Sequence, residues 1–267
     1  MKNRTRYLHL LTAIVVLVTA TSTCSAITPN RSSLLSTIDN YRFVTEQLIR
    51  VNQLPPSILF ALQNKEIEIN LSPPNKSQYV HYVDILSGEL KKYPPDILNS
   101  NLMKIYIGGS YRQNGGTVGG LYSNQNIYVF YEQSNEKNKA IYLKQTFHHE
   151  FSSILIQAYG FPAFDWLKLN NPDFDYLINP RKIHEYLRSI SVYEASEAQL
   201  KQGLVSSYGK SNAENDINTY VEMIFTEPKK MSKLINTYPI IHAKYDMIKA
   251  FYLSISSGFE PVFSAIK

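Results

Sequence analysis

One stretch of the chain has residue types and spacing suited to handling a metal-bound water. In Thr146-Phe147-His148-His149-Glu150-Phe151-Ser152-Ser153 a His is followed directly by a Glu, and Ser153 stands four residues beyond that His. Two imidazoles at i and i+4 on a helix point the same way, which is how His-Glu-x-x-His sets two nitrogens on one zinc and a carboxylate beside its water. His149 supplies the first ligand and Glu150 the base, while Ser153 occupies the position of the second ligand. A neutral hydroxyl is a poor zinc donor, so a metal here needs donors from other segments, with His81, His184 and His242 as candidates. His148 diverges from His149 by about 100° on a helix and does not share its direction. The bland reading of the same residues is two solvated imidazoles on the polar face of an amphipathic helix. His184-Glu185-Tyr186-Leu187-Arg188 is a second His-Glu pair without a His at i+4, and it reads as a surface turn of another helix. No Gly-rich phosphate loop, Gly-x-Ser-x-Gly elbow or Cys-His nucleophile pair is present.

The elements that must position these residues follow from periodicity. Ile141 to Tyr159 is helical, with Leu143, Phe147, Phe151, Ile154, Leu155 and Ala158 on one stripe and Gly160-Phe161-Pro162 as its stop. With Phe147 at 0° and about 100° per residue, His149 falls near 200° and Ser153 near 240°, away from the stripe. Strands are expected at Met103 to Ile107, Val118 to Tyr122 and Ile127 to Tyr131, the last two joined by a turn at Ser123-Asn124-Gln125-Asn126. Gly115-Gly116 and Gly119-Gly120 flank Thr117-Val118, which fits either bulges at an ordinary hairpin or close approach of an added peptide backbone. Upstream, Ser32 to Val51 reads as helix, Glu66 to Leu71 as a half-buried strand and Tyr79 to Leu90 as helix. Beyond residue 140 the pattern is helical, so strands and helices are segregated and the class is α+β. A helix over 214–226 has the core stripe Ile217, Tyr220, Val221, Ile224 and Phe225. Glu214, Asp216 and Glu222 lie about 60°, 100° and 140° from its centre, so Glu222 is the one most turned to water. An acidic first turn that complements the helix dipole accounts equally well for Glu214 and Asp216.

Composition narrows the function classes. A chain of 267 residues with 44% hydrophobic content can bury one sizeable core. Lys2, Arg4 and Arg6, followed by an apolar run from Tyr7 to Ala20, form the charged and hydrophobic parts of a secretory signal, too short for a membrane span of about 20 residues. Removing those three charges takes the net charge from +5 to +2, and the aromatics have no clustered Lys or Arg beside them, so no nucleic-acid partner is expected. Cleavage after Ala26 yields a single domain over 27–267; the competing reading makes Cys24 a lipidated first residue that attaches the protein to a membrane. Either way the product is exported, as a periplasmic, envelope-anchored or secreted protein. One Cys excludes an intramolecular disulfide and any cysteine-rich metal site.

A strand, a Gly-rich hairpin and then Thr146 to Leu155 resemble, in that order, the zinc-binding metallopeptidase lipoproteins of bacteria, which look like gluzincins. The likeness continues in Gly203-Leu204-Val205-Ser206-Ser207-Tyr208-Gly209 and Glu214-Asn215-Asp216-Ile217-Asn218, similar to the family's Gly-Phe-Val-Ser-x-Tyr segment and the acidic helix after it. It covers about 104–226. The resemblance implies a zincin-like fold, with a small antiparallel sheet packed on the motif helix and a mostly helical C-terminal half. It implies zinc on His149 and a carboxylate of the acidic helix, Asp216 first and Glu214 second, with Glu150 as the catalytic base and a peptide or protein as substrate. The chain departs from the family pattern at Ser153, and at Asn215-Asp216-Ile217-Asn218-Thr219 where Glu-Asp-Phe-Ala-Glu is usual. Two expectations result: zinc-dependent peptide hydrolysis, or an inactive relative that binds peptides or proteins at the envelope. A structural lipoprotein without a cleft function is the third.

Overall fold

The structure, a computed structural model, describes residues 48–50, 69–113, 116–131, 139–177, 179–189 and 194–267. The expected signal segment and the expected helix up to residue 47 lie outside these residues. Strands dominate the first half: β1 (Leu48–Arg50), β2 (Ile69–Ser72), α1 (Lys76–Leu90), α2 (Pro95–Asn101), β3 (Lys104–Gly108), β4 (Ser110–Gln113), β5 (Gly116–Thr117), β6 (Gly120–Ser123) and β7 (Asn126–Phe130). Helices follow: α3 (Lys139–Tyr159), α4 (Ala163–Lys168), α5 (Pro180–Ser189), α6 (Glu197–Lys201), α7 (Ala213–Thr226), α8 (Pro228–Thr237), α9 (Pro239–Ile255) and α10 (Glu260–Ser264). The class is α+β with a helical C-terminal half. Among the described residues no helix is long and apolar enough to cross a membrane.

The sheet that covers α3 has the order β1-β3-β7-β6. β6 and β7 form the expected antiparallel hairpin, turned at Asn124 with φ 53°, a conformation that Asn tolerates better than most residues. β3 runs parallel to β7, so the sheet is mixed where an antiparallel one was expected. The reason is connectivity. After β3 the chain leaves to build a second sheet, β2-β4-β5, and returns through β6, so β7 enters beside β3 in the same direction. Leu48–Arg50 also corrects the expected Ser32 to Val51 helix, because it pairs in parallel with β3 from Leu48↔Ile105 to Arg50↔Ile107. A short apolar run fits either period, and here the backbone partner decides.

Ile105, Ile107, Ile127 and Val129 are fully buried on the side facing α3, whose Leu143, Phe147, Phe151 and Leu155 are equally buried in the same core. Each such side chain contributes about 1.5–3 kcal/mol by leaving water. Ala158, in the last turn of α3, is exposed despite its place on the predicted stripe. α7 covers a further side of α3, and Asn212 caps it by accepting from Asn215 N at 2.7 Å.

His148 is not on a polar face. It is fully buried, with Tyr93 Oη 2.7 Å from Nδ1 and Glu89 Oε2 2.8 Å from Nε2. Burial lowers its pKa to about 4 against the pull of Glu89, so near neutrality Tyr93 O–H donates to Nδ1 and Nε2–H donates to the carboxylate. α1 therefore covers the side of α3 that the wheel had left to solvent.

Candidate active site

The face of α3 that bears His149 and Ser153 points at α7, and the residues that meet it are spaced i, i+3 and i+7 on that helix. His149 Nδ1 lies 2.5 Å from Glu222 Oε1 and its Nε2 3.3 Å from Asn215 Oδ1. Ser153 Oγ accepts from Asn218 Nδ2 at 2.7 Å, and both side chains are buried. Tyr208, from the turn before α7, sets its ring 5.7 Å from the His149 imidazole.

Glu150 faces the other way, toward the sheet edge. Gly120 of β6 packs so closely on it that an added Cβ would lie 2.7 Å from Glu150 Oε1 and 2.6 Å from Thr146 Cγ2. At Gly119 an added Cβ would collide with the Tyr142 hydroxyl. The glycines thus let the hairpin approach the motif helix, bringing Tyr122 Oη on β6 to donate to Glu214 Oε1 at 2.8 Å and accept from Gln157 Nε2 at 2.6 Å.

The electrostatics follow from this crowding. Burial works against charge on His149, but the hydrogen bond and charge of Glu222, then the charges of Glu150 and Glu214, push the imidazole up to about 9. Its two protonated nitrogens can then donate to Glu222 and Asn215 at once. Burial raises Glu150 to about 7, with His149 opposing and Glu214 and Glu222 reinforcing the shift.

Of the residues expected at a site, the structure brings His149, Glu150 and Glu214 to one region. Asp216 is directed elsewhere: it is fully buried, with Oδ2 2.7 Å from Lys244 Nζ, 2.6 Å from Tyr176 Oη and 3.1 Å from Trp166 Nε1. Burial raises its carboxyl against the pull of those partners. The carboxylate facing His149 is Glu222, which the sequence reading had turned to water. His81 pairs with Tyr131 at 2.7 Å, and His242 lies 3.6 Å from Asp246 on α9. His184 is on α5. Asn215, Asn218 and Tyr122 were not foreseen, although the spacing of Asn215, Asn218 and Glu222 is a helical stripe of polar residues that could have been read beside the apolar one.

The donor set can be tested against zinc. A carboxylate on Nδ1 is the usual means of orienting a metal-bound imidazole, and it leaves Nε2 aimed at the metal position. The donors next to that position are the Asn215 carboxamide and the Ser153 hydroxyl, both neutral and both already hydrogen-bonded. Structural and catalytic zinc sites take Cys, His and carboxylate ligands, at least three of them. Among the described residues no three His, Cys, Asp or Glu side chains are grouped to hold a metal. The described residues do not fit zinc.

The His-Glu helix α3 lies between the edge of the mixed sheet and the amphipathic helix α7. The family described as "Putative zinc-binding metallo-peptidase" matches residues 58–255, and the chain belongs to that family. No curated protein and no solved structure matches it.

Proposed function

We propose that this member of a zinc-metallopeptidase family is an exported protein that binds peptides along β6 beside the His-Glu helix without hydrolysing them. The observation that carries the reading is the contact of His149 Nε2 with Asn215 Oδ1 at 3.3 Å, which uses for a hydrogen bond the nitrogen a zinc site keeps for the metal. Hydrolysis needs a water made nucleophilic at neutral pH, which zinc does by lowering its pKa to about 7. Glu150, itself raised to about 7, is too weak a base to do this alone. What persists is the recognition geometry. Among the described residues β6 is an edge strand beside α3, and an extended peptide can add to such an edge through its backbone. Glu150 and Tyr122 then flank the added strand.

Metal analysis of protein purified without chelator, combined with digestion of an unstructured protein substrate, tests the reading. Zinc far below one per chain and no cleavage are expected. Full occupancy, with cleavage abolished in Glu150→Gln, would restore the peptidase. Export is supported by Lys2, Arg4 and Arg6 ahead of the apolar run, and anchoring by Cys24 at the end of it. A Cys24→Ser variant should move from the membrane fraction to the soluble one; unchanged fractionation removes the lipid anchor.

A further inference from the structure

Lys244 of α9 and Asp216 of α7 have no exposed side-chain surface, and Nζ lies 2.7 Å from Oδ2. The lysine is held on two sides. Gly203 O accepts from Nζ at 3.1 Å, and the rings of Trp166, Tyr220 and Phe174 have their centroids 4.7, 5.8 and 6.0 Å from it. A C–O bond of about 1.2 Å puts Cγ no more than about 4 Å from the nitrogen, compared with about 3–3.5 Å for a reacting pair. An amine and a carboxyl fixed in this way and screened from solvent are the two halves of an amide.

The two carboxylate oxygens stand in different surroundings. Oδ2 faces three donors, Lys244 Nζ, Tyr176 Oη at 2.6 Å and Trp166 Nε1 at 3.1 Å, whereas Oδ1 is buried with no hydrogen-bond partner among the described residues. A buried acceptor left without a donor is destabilising, and losing the atom relieves this as well as gaining a donor would. Gly209 backs onto this oxygen: a Cβ there would lie 3.0 Å from Oδ1.

We infer that Asp216 and Lys244 are a site of covalent self-modification, at which Nζ condenses with Cγ into an intramolecular amide that links α7 to α9. Nζ gives two of its three protons to Oδ1 and shares its electron pair with Cγ; the Cγ–Oδ1 bond breaks and Oδ1 leaves as water. The two charges of the pair cancel, and no oxidant, reductant or co-reactant is consumed. As the tetrahedral adduct forms, negative charge gathers on Oδ2, where Tyr176 O–H and Trp166 N–H act as an oxyanion hole, and the same donors hold the carbonyl oxygen of the product. Burial shuts out the water that would reverse the step. The bond joins positions 28 residues apart and so constrains the unfolded chain as a disulfide does, in a protein whose single Cys allows no intramolecular disulfide.

Trypsin digestion of the denatured full chain, read by tandem mass spectrometry against labelled standards, tests the bond. An amide removes the positive charge that trypsin recognises at Lys244. Residues 234–249 should therefore remain uncut and appear joined to 211–229 as one branched peptide, lighter than the sum of the two by one water molecule. The linear peptide 234–244 should be at least tenfold less abundant than 250–267. Lys244→Arg keeps a cation opposite Asp216 but has no amine to acylate, and should give only linear peptides; the wild-type result does not depend on whether the variant folds. Linear 211–229 and 234–244 in full yield from wild type overturn the bond. Loss of one water within 211–229 that persists in Lys244→Arg also overturns it, because the dehydration then lies within that peptide alone.

Discussion

His149 and Glu222 meet at 2.5 Å across the α3–α7 packing, with the imidazole nearly enclosed. Removing the carboxylate leaves burial, which disfavours the charged ring, opposed only by Glu150 and Glu214. In Glu222→Gln the His149 pKa should fall from about 9 by more than about one unit, read by proton NMR titration of the ring. A histidine with a raised folded pKa contributes stability that is complete below its unfolded value of 6.5 and lost as pH rises through about 9. The variant should therefore lose roughly 1–3 kcal/mol at pH 6 and much less at pH 10. An equal loss at both would place the effect in packing.

Asp216 and Lys244 form an ion pair with neither side chain exposed. Removing one partner strands the other charge in the interior, so Asp216→Ala or Lys244→Met should each cost about 3–5 kcal/mol in denaturant unfolding. The double replacement should cost clearly less than the sum of the two, because no charge is then left unpaired. Simple additivity would show that the two groups do not act as a pair.

The interior of the protein was more legible than its site. Apolar periodicity located α3, the β6–β7 hairpin and the core of α7, because burial of a stripe is a local property of sequence. What periodicity could not show is that α3 is covered on several sides at once. Once α1 and α7 are in place, His148 is a core residue and the face of His149 is an interface. Asp216 and Glu222 exchanged expected places for the same reason. Lys244 and Trp166 come from elements distant in sequence, and their positions decide which carboxylate is buried against the lysine and which meets the imidazole. Leu48–Arg50 was likewise decided by its neighbour β3.

The pair Glu89 and His148 makes the fold acid-sensitive. His148 has a folded pKa of about 4 against 6.5, so the unfolded chain takes up the proton first and stability falls as pH drops through that window. For Glu89, burial is outweighed by His148 and Lys92, and its carboxyl is held down to about 2 from 4.5; its contribution is complete above the upper value and lost toward the lower. Both act in the same direction. Between pH 7 and pH 4, wild type should lose roughly 2–3 kcal/mol more than His148→Gln, measured by urea unfolding at each pH. Parallel profiles would show that the buried imidazole does not titrate in this range.

The geometry of α3 and α7 also predicts how a metal site could be restored. His149 already has its Nδ1 on a carboxylate, and Ser153 and Asn215 stand where two further ligands would reach the same point as Nε2. Neither Ser153→His nor Asn215→Glu alone supplies the three protein ligands zinc requires, so each single variant should stay near the wild-type affinity. The double variant should bind zinc at least about 100-fold more tightly, since both missing ligands then converge on His149. An imidazole in place of a buried hydroxyl overfills the packing and takes from Asn218 its only side-chain partner among the described residues, so the double variant without zinc should be about 1–3 kcal/mol less stable than wild type. Zinc binds the folded state selectively and should recover that loss, raising the melting temperature in proportion to the logarithm of its concentration. A double variant whose melting temperature ignores zinc would mean that residues 153 and 215 do not face the metal position, and the assignment of that position to the space between α3 and α7 would fall with it.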